Sequence, residues 1–338
     1  MPFRITIQSS QHAYTAERDE TILEAALREG FDLPYGCRNG ACGSCKGKIV
    51  SGKVDHGKYD KSALNEEEIA SGSALFCCAR PLSDLVVECR EIRAAKDIQV
   101  KTLPCRVQKM VNAGKDTMVI YLKLPASERL QFLAGQYIDI LLKEGKRRSF
   151  SLANAPYDDE LLELHIRNVP GGNFSHHVFT EMREKDILRF EGPLGTFCLR
   201  EDSEKPIIFV ASGTGFAPIK GMVEHAFQID MKRKMSLYWG VNTLADLYMK
   251  DLPEKWAETH ENFSFVPVLS APLPEDHWKG RTGFVHLAVM EDFKDLSGHQ
   301  IYACGSPVMV HAAHKDFTSL RGLPQEEFFS DAFTFSPK

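Results

Sequence analysis

Three cysteines within nine residues, Cys37, Cys42 and Cys45, stand in the stretch YGCRNGACGSCK from Tyr35 to Lys46, threaded with Gly36, Gly40 and Gly43. Thiolates at this spacing on a polar, glycine-rich loop point to a metal centre rather than to packing. C-x4-C-x2-C is the spacing of an iron–sulfur loop, which takes a fourth cysteine well downstream. Cys77 and Cys78, in LFCCARP, both satisfy that by spacing. An iron–sulfur cluster carries negative charge, so backbone N–H groups aimed at its sulfurs stabilise it, and glycine permits their close approach. Four cysteines also suit tetrahedral zinc, but zinc loops usually pair C-x-x-C twice. Here three lie together and the fourth is far away. A chain built around such a cluster moves single electrons.

Two further constellations have the tools to supply them. Lys146-Arg147-Arg148 runs into Ser149-Phe150-Ser151, placing a fixed cation, an aromatic and a hydroxyl along one strand edge. Those groups suit a ligand with a phosphate and a flat ring. Gly171-Gly172-Asn173-Phe174-Ser175 then leads into a helical pattern, a ready anion site. The apolar run Pro206–Ala211 ends in Ser212-Gly213-Thr214-Gly215-Phe216-Ala217-Pro218 and a helix. Strand, glycine turn and helix form the unit that aims a helix N-terminus at a phosphate, although Pro218 stands where G-x-G-x-x-G has its last glycine. Taken singly, each of these is also an ordinary turn or charge run.

The elements that must position these residues follow a clear order. Phe3, Ile5 and Ile7 alternate as a strand, and Thr21-Ile22-Leu23-Glu24 is a capping box opening a short helix that Gly30 and Pro34 end. Lys48–Val50 and Leu85–Val87 read as strands, with SALNEEEIASG between them as a helix, giving a small α+β domain over 1–95. A polar linker follows at 96–103. Short strands at regular spacing (Val107, Val119–Leu124, AGQYIDILL, SFSLAN, LLELHIR) predict an antiparallel barrel over 104–202. From 203 to 338, apolar strands alternate with helices as in an open parallel α/β sheet. Ligands of such sheets sit at the carboxyl ends of the strands, where Gly213–Pro218, Gly240, Ser270 and Cys304–Pro307 fall.

The chain has 338 residues, with 43% hydrophobic, 26% charged, a net charge of −5 and nine cysteines. That length suits two or three domains. The charge balance disfavours nucleic acid. No apolar run is long enough for a membrane span or leader, and clustered, odd-numbered cysteines predict a reducing, cytoplasmic setting.

The cysteine loop and LFCCARPLSDL resemble the plant-type [2Fe–2S] ferredoxin (β-grasp) domain of bacterial multicomponent oxygenase-type reductases. The resemblance makes Cys37, Cys42, Cys45 and Cys77 the cluster ligands, with Cys78 where the family has glutamine. Arg148-Ser149-Phe150-Ser151 resembles the R-x-[YF]-S flavin motif of the ferredoxin–NADP reductase superfamily, and Arg167 followed by Gly172 and Ser175 its pyrophosphate segment. FAD is implied, with Arg148 on phosphate, Phe150 against the ring, Ser151 by its reactive edge, and His165 and Arg167 of LELHIR in the same set. Gly213, Thr214, Gly215 and Pro218 match the superfamily's nicotinamide-nucleotide turn. Cys304 and Gly305, of C-G-x-x-x-M, would lie near the nicotinamide ring, and Asp331-Ala332-Phe333 matches the terminal acid-x-Phe beside the flavin. Ser151, Cys304, Asp331 and Phe333 are the implied catalytic set.

The resemblance spans the chain and implies an NADH-dependent FAD and [2Fe–2S] reductase passing single electrons to a partner protein that docks near the cluster loop. That partner would be an oxygenase component. Runs such as RRSFSLANAP and FFSDAF look closest to CDP-6-deoxy-glucoseen reductases, which makes a deoxysugar dehydratase the alternative. NADH is expected over NADPH because no Arg adjoins Val241-Asn242 or Ser270-Ala271-Pro272, with Arg281 the one residue to watch. Two readings from other classes are a zinc-stabilised nucleotide-binding module and a stand-alone flavin reductase of a small molecule.

Overall fold

The computed structural model describes residues 2–31, 33–89 and 98–334. They group into two compact units: residues up to 98 together with 195–197, and the remainder. Part of the expected linker, 96–97, and the end of the first expected domain lie outside the described residues.

In the first unit, β1 (Phe3–Ile7), β2 (Ala13–Ala16), α1 (Ile22–Arg28), β3 (Lys46–Ser51), β4 (Val54–Asp55), α2 (Glu66–Ala70), β5 (Ser73–Leu75), β6 (Arg80–Pro81) and β7 (Leu85–Glu88) follow one another. The main sheet has the order β2-β1-β7-β3-β5, with β1 and β7 parallel at its centre. Alternation works as expected: Ile5 and Ile7 are fully buried and their neighbours are not. Thr21 Oγ1 accepts the Glu24 N–H at 3.2 Å and Glu24 Oε2 accepts the Thr21 N–H at 2.9 Å, closing the capping box of α1. α2 is shorter than the sequence predicts. It starts only after Asn65, whose own capping box with Glu68 sets the boundary.

The second unit contains both remaining layers. β8 (Lys101–Asn112), β9 (Thr117–Lys123), β10 (Tyr137–Leu141), β11 (Arg147–Ser151), β12 (Leu162–Arg167), α3 (Asn173–Thr180) and β13 (Ile187–Leu194) come first. Their antiparallel sheet has the order β11-β10-β13-β8-β9-β12, and a Leu152–Leu164 bridge brings its two edges together. Its interior is filled by Val107, Ile120, Leu122, Ile138, Ile140, Leu164 and Phe190. β8 begins at Lys101, inside the expected linker, because its first residues already pair with the end of β13.

Then come β14 (Ile207–Ser212), α4 (Phe216–Gln228), β15 (Met235–Val241), α5 (Asp251–Thr259), β16 (Phe263–Leu269), β17 (Arg281–Thr282), α6 (Val285–Asp292), β18 (Gln300–Gly305), α7 (Pro307–Arg321) and β19 (Phe328–Ala332). The sheet is wholly parallel in the order β17-β16-β15-β14-β18-β19. Ile207 to Ala211 are buried throughout, as a central strand covered on both faces requires. The glycine turn, Gly240, Ser270 and Cys304–Gly305 all lie at or just beyond carboxyl ends of strands.

Candidate cofactor sites

The cysteine loop leaves α1 and runs into β3, so one ordered element holds each end. Its four expected thiols fall into two pairs. Cys37 Sγ receives the N–H groups of Ala41 at 3.4 Å and Cys42 at 3.3 Å, while the Cys37 N–H points at Cys42 Sγ at 3.4 Å. Cys45 Sγ and Cys77 Sγ lie 3.1 Å apart. The hydrogen bond with the Cys42 thiol and those from the loop N–H groups draw the Cys37 thiol down to about 6. The Cys45 thiol pushes Cys77 up. Among the described residues no three His, Cys, Asp or Glu side chains form a group suited to one metal ion. Two thiol pairs, with N–H dipoles directed at sulfur, are a donor set that fits a two-iron cluster.

Gly40 explains the glycines of this loop. Its φ is +77°, and a Cβ there would lie 2.7 Å from Cys78 Sγ and 2.9 Å from Tyr59 Cβ. Cys78 Sγ is 3.6 Å from Cys77 Sγ. Cys77 is the more buried of the two and is the one that meets Cys45. The loop's approach is anchored within the same unit, since the Tyr35 N–H donates to Thr196 Oγ1 at 2.8 Å.

Arg148, Phe150 and Ser151 lie along β11, with Ser151 buried opposite Tyr137. Alternation puts Arg148 and Phe150 on the face opposite Ser149, which donates to Asp139 at 2.6 Å. The Phe150 ring packs 5.4 Å from that of Phe174 on α3. Arg167, at the end of β12, holds Asp116 at 2.9 Å, and a Cβ on Gly213 would come 3.9 Å from its Nη1. The flavin-type arginine and the glycine turn are therefore neighbours. Gly172 caps α3. The Ser175 hydroxyl bonds the N–H and C=O of Val169 and the C=O of Gly172, so it shapes the turn.

The Gly213–Gly215 turn passes directly into α4, with Pro218 buried in its first turn. A Cβ on Gly215 would lie 2.1 Å from the carbonyl oxygen of Cys304, and one on Gly305 2.4 Å from that of Ser212. The ends of β14 and β18 thus meet backbone to backbone, and only glycine allows it. Cys304 is fully buried, and desolvation raises its thiol well above the ordinary range. In the β18–β19 register Asp331 stands opposite Cys304, and the Phe333 N–H donates to Gly305 at 2.7 Å.

His165 is held by two protein side chains. Its side chain is fully buried and both ring nitrogens are engaged: Nε2 with Glu163 Oε1 at 2.7 Å and Nδ1 with Tyr248 Oη at 2.8 Å. Lys220, on α4, donates to Glu163 Oε2 at 3.1 Å, to Glu224 at 3.1 Å and to the Ala153 carbonyl at 3.3 Å. Local sequence did not single out Glu163, Lys220 or Tyr248. Glu163 and His165 alternate with Leu162, Leu164 and Ile166, which reads as a solvated strand face until α4 is seen to cover it.

A β-grasp-like cluster domain, an antiparallel barrel and a parallel nucleotide sheet, with these residues at their edges, define an iron–sulfur flavoprotein oxidoreductase. The comparisons agree along the whole chain. Family models described as 2Fe-2S iron-sulfur cluster binding domain, oxidoreductase FAD-binding domain and oxidoreductase NAD-binding domain match residues 5–82, 104–198 and 209–315. A CDP-6-deoxy-L-threo-D-glycero-4-hexulose-3-dehydrase reductase of Yersinia pseudotuberculosis is 42% identical, over 98% of this chain and 99% of that one. A terephthalate 1,2-dioxygenase reductase component of Comamonas is 32% identical, over 100% and 99%. The crystal structure of a cytochrome P450 reductase of Amycolatopsis is similar at a TM-score of 0.78 and 36% identity, covering 98% and 99%. The chain belongs to this family of NAD(P)H-dependent [2Fe–2S] flavoprotein reductases, which pass electrons to a partner. No helix among the described residues is long and apolar enough to cross a membrane.

Proposed function

We propose that Cys37 and Cys42 hold one iron of the cluster and Cys45 and Cys77 the other, with Cys78 a neighbour rather than a ligand. The observation that carries this is the 3.1 Å approach of Cys45 and Cys77 beside the separately hydrogen-bonded Cys37–Cys42 pair. When bound, FAD and [2Fe–2S] would supply the chemistry that turns NADH, a two-electron hydride donor, into a source of single electrons. The protein supplies position and electrostatics. Arg148 and Arg167 would neutralise the flavin phosphates, Phe150 would pack against the ring, and Ser151 would offer its hydroxyl to the reactive edge. Gly172 and Ser175 shape the pyrophosphate loop, Ser175 through the turn it holds. The backbone of Gly213, Thr214 and Gly215, with Pro218 in the first turn of α4, receives the nicotinamide nucleotide. Cys304, Gly305, Asp331 and Phe333 close the site at the ends of β18 and β19.

NADH is the coenzyme in this reading, since Arg281 is already committed to Asp292 and Glu291 on α6. The partner docks beside the loop at Cys42–Cys45, in the cytoplasm. An oxygenase component and a deoxyhexulose dehydrase are the two acceptor classes named among these relatives, and 42% identity to the dehydrase reductase against 32%, 36% and 39% to reductases of the oxygenase type narrowly favours the dehydrase. The test is NADH oxidation by the loaded reductase with each purified acceptor. Turnover with the dehydrase and none with oxygenase components supports the assignment, and the converse result replaces it.

A further inference from the structure

Five side chains form one polar chain that links the barrel to the nucleotide sheet, with Glu163, His165 and Lys220 buried and Tyr248 and Glu224 half-buried at its ends. The carboxylate of Glu163 only accepts, so His165 carries its proton on Nε2 and its Nδ1 accepts from the Tyr248 hydroxyl. Each hydrogen bond of the chain then has one donor and one acceptor. Tyr248 in turn sets its ring edge-on to Trp239, whose Nε1–H donates to the Gly213 carbonyl at 3.0 Å, and Phe216 stacks on Trp239 at 4.1 Å. A continuous set of contacts therefore runs from β12, which ends at Arg167, to the Gly213–Gly215 turn. Lys220 makes a second tie from β12 to α4, whose first turn follows that glycine turn.

A buried ion pair is a weak source of stability compared with well-packed apolar groups, but it discriminates between registers, because any slip strands a charge. The segments it registers here are those assigned above to the flavin and to the nicotinamide. We propose that the Tyr248–His165–Glu163–Lys220 chain positions the glycine turn against β12 and thereby sets the geometry of hydride transfer. Tyr248 and His165 are positioning residues, acting through Trp239 and the turn. The proposal rests on the cofactor assignments above.

Tyr248→Phe is the direct test, since it removes one hydroxyl and keeps the ring. It is made in the full chain loaded with FAD and cluster, and flavin bleaching by NADH is followed in single turnover with protium or deuterium at the transferred position. The expected result is flavin reduction slowed roughly tenfold with a larger isotope effect. The long-wavelength charge-transfer band between flavin and nicotinamide weakens, while FAD content and KM for NADH stay within about twofold of the parent. An unchanged rate and band overturn the proposal, even if the melting temperature falls, because the hydroxyl would then be structural only. Should the variant not retain FAD, Trp239→Phe, which deletes the N–H given to Gly213, is read by the same criteria. If NADH does not reduce the flavin of the parent protein, the cofactor assignment is what fails.

Discussion

The cluster loop and the flavin–nicotinamide segments differ in how they are assembled. Three of the four proposed iron ligands lie within nine consecutive residues, on a loop stiffened by its own N–H to sulfur bonds. The residues proposed for flavin and nicotinamide come from β11, β12, the turn before α4, β18, β19 and the segment after it, so any site they form depends on tertiary packing. The first kind of site tolerates change elsewhere but fails when one thiol is lost. The second is sensitive to any change in how its elements register, including at residues that touch no cofactor.

Removing a ligand should separate the two regions most sharply. Cys77→Ser is expected to cut cytochrome c reduction by about a hundredfold or more, because the cluster is not assembled. NADH-to-ferricyanide activity should stay within about twofold, and visible absorbance and iron content check the loss directly. Cys78→Ser should keep both activities and the iron. If Cys78→Ser loses the cluster and Cys77→Ser retains it, the fourth-ligand assignment is reversed.

Glycine substitutions come next in size. Gly215→Ala forces a Cβ against the immobile Cys304 carbonyl, and overpacking of this kind costs about 3 kcal/mol. Flavin reduction by NADH should fall while the cluster spectrum persists. Gly40→Ala puts its strain at the cluster loop instead, and should lower iron content while NADH still bleaches the flavin. Loss of the same function in both variants would show that the two regions are not independent.

Acid should probe the polar chain together with His286 and His299, whose pKa values burial also lowers, so the His165 variant isolates the chain's share. Burial lowers the pKa of His165 despite Glu163 beside it, with Lys220 and Tyr248 as the other groups facing the ring. Below about 6.5 the unfolded chain binds a proton that the folded imidazole resists, so stability falls as pH drops from there toward the lowered value. His165→Gln should flatten that part of the melting-temperature profile, whereas a parallel profile would mean that His165 does not titrate there. The smallest effect is expected at Arg281, where the ion pairs are partly exposed. Arg281→Ala should change the NADH/NADPH ratio of kcat/KM less than about threefold. A larger change would place Arg281 at the coenzyme.

The iron–sulfur loop was legible because its ligands are local and its spacing reflects the geometry of the group it holds. The glycine turn and the Cys304-Gly305 segment were legible for a related reason: parallel sheets place their binding segments at strand ends, which sequence patterns mark. Element boundaries were less so. α2 is trimmed to the capping box at Asn65, and β8 starts earlier than expected because β13 offers it partners. His165 and Ser175 were found by motif, but their protein partners, Glu163 and Tyr248 for the one and the Val169 backbone for the other, were not legible in the sequence.

From residues alone came the three layers and the cysteine spacing that proposes the cluster thiols, since periodicity and short-range spacing carry those choices. Tertiary structure decided which thiols pair, that Arg281 is occupied, and that Glu163, His165, Lys220 and Tyr248 form one polar chain. Charged residues on an alternating strand read as solvated until another element covers them. Whether one does depends on contacts between residues far apart in the chain, which no local pattern encodes.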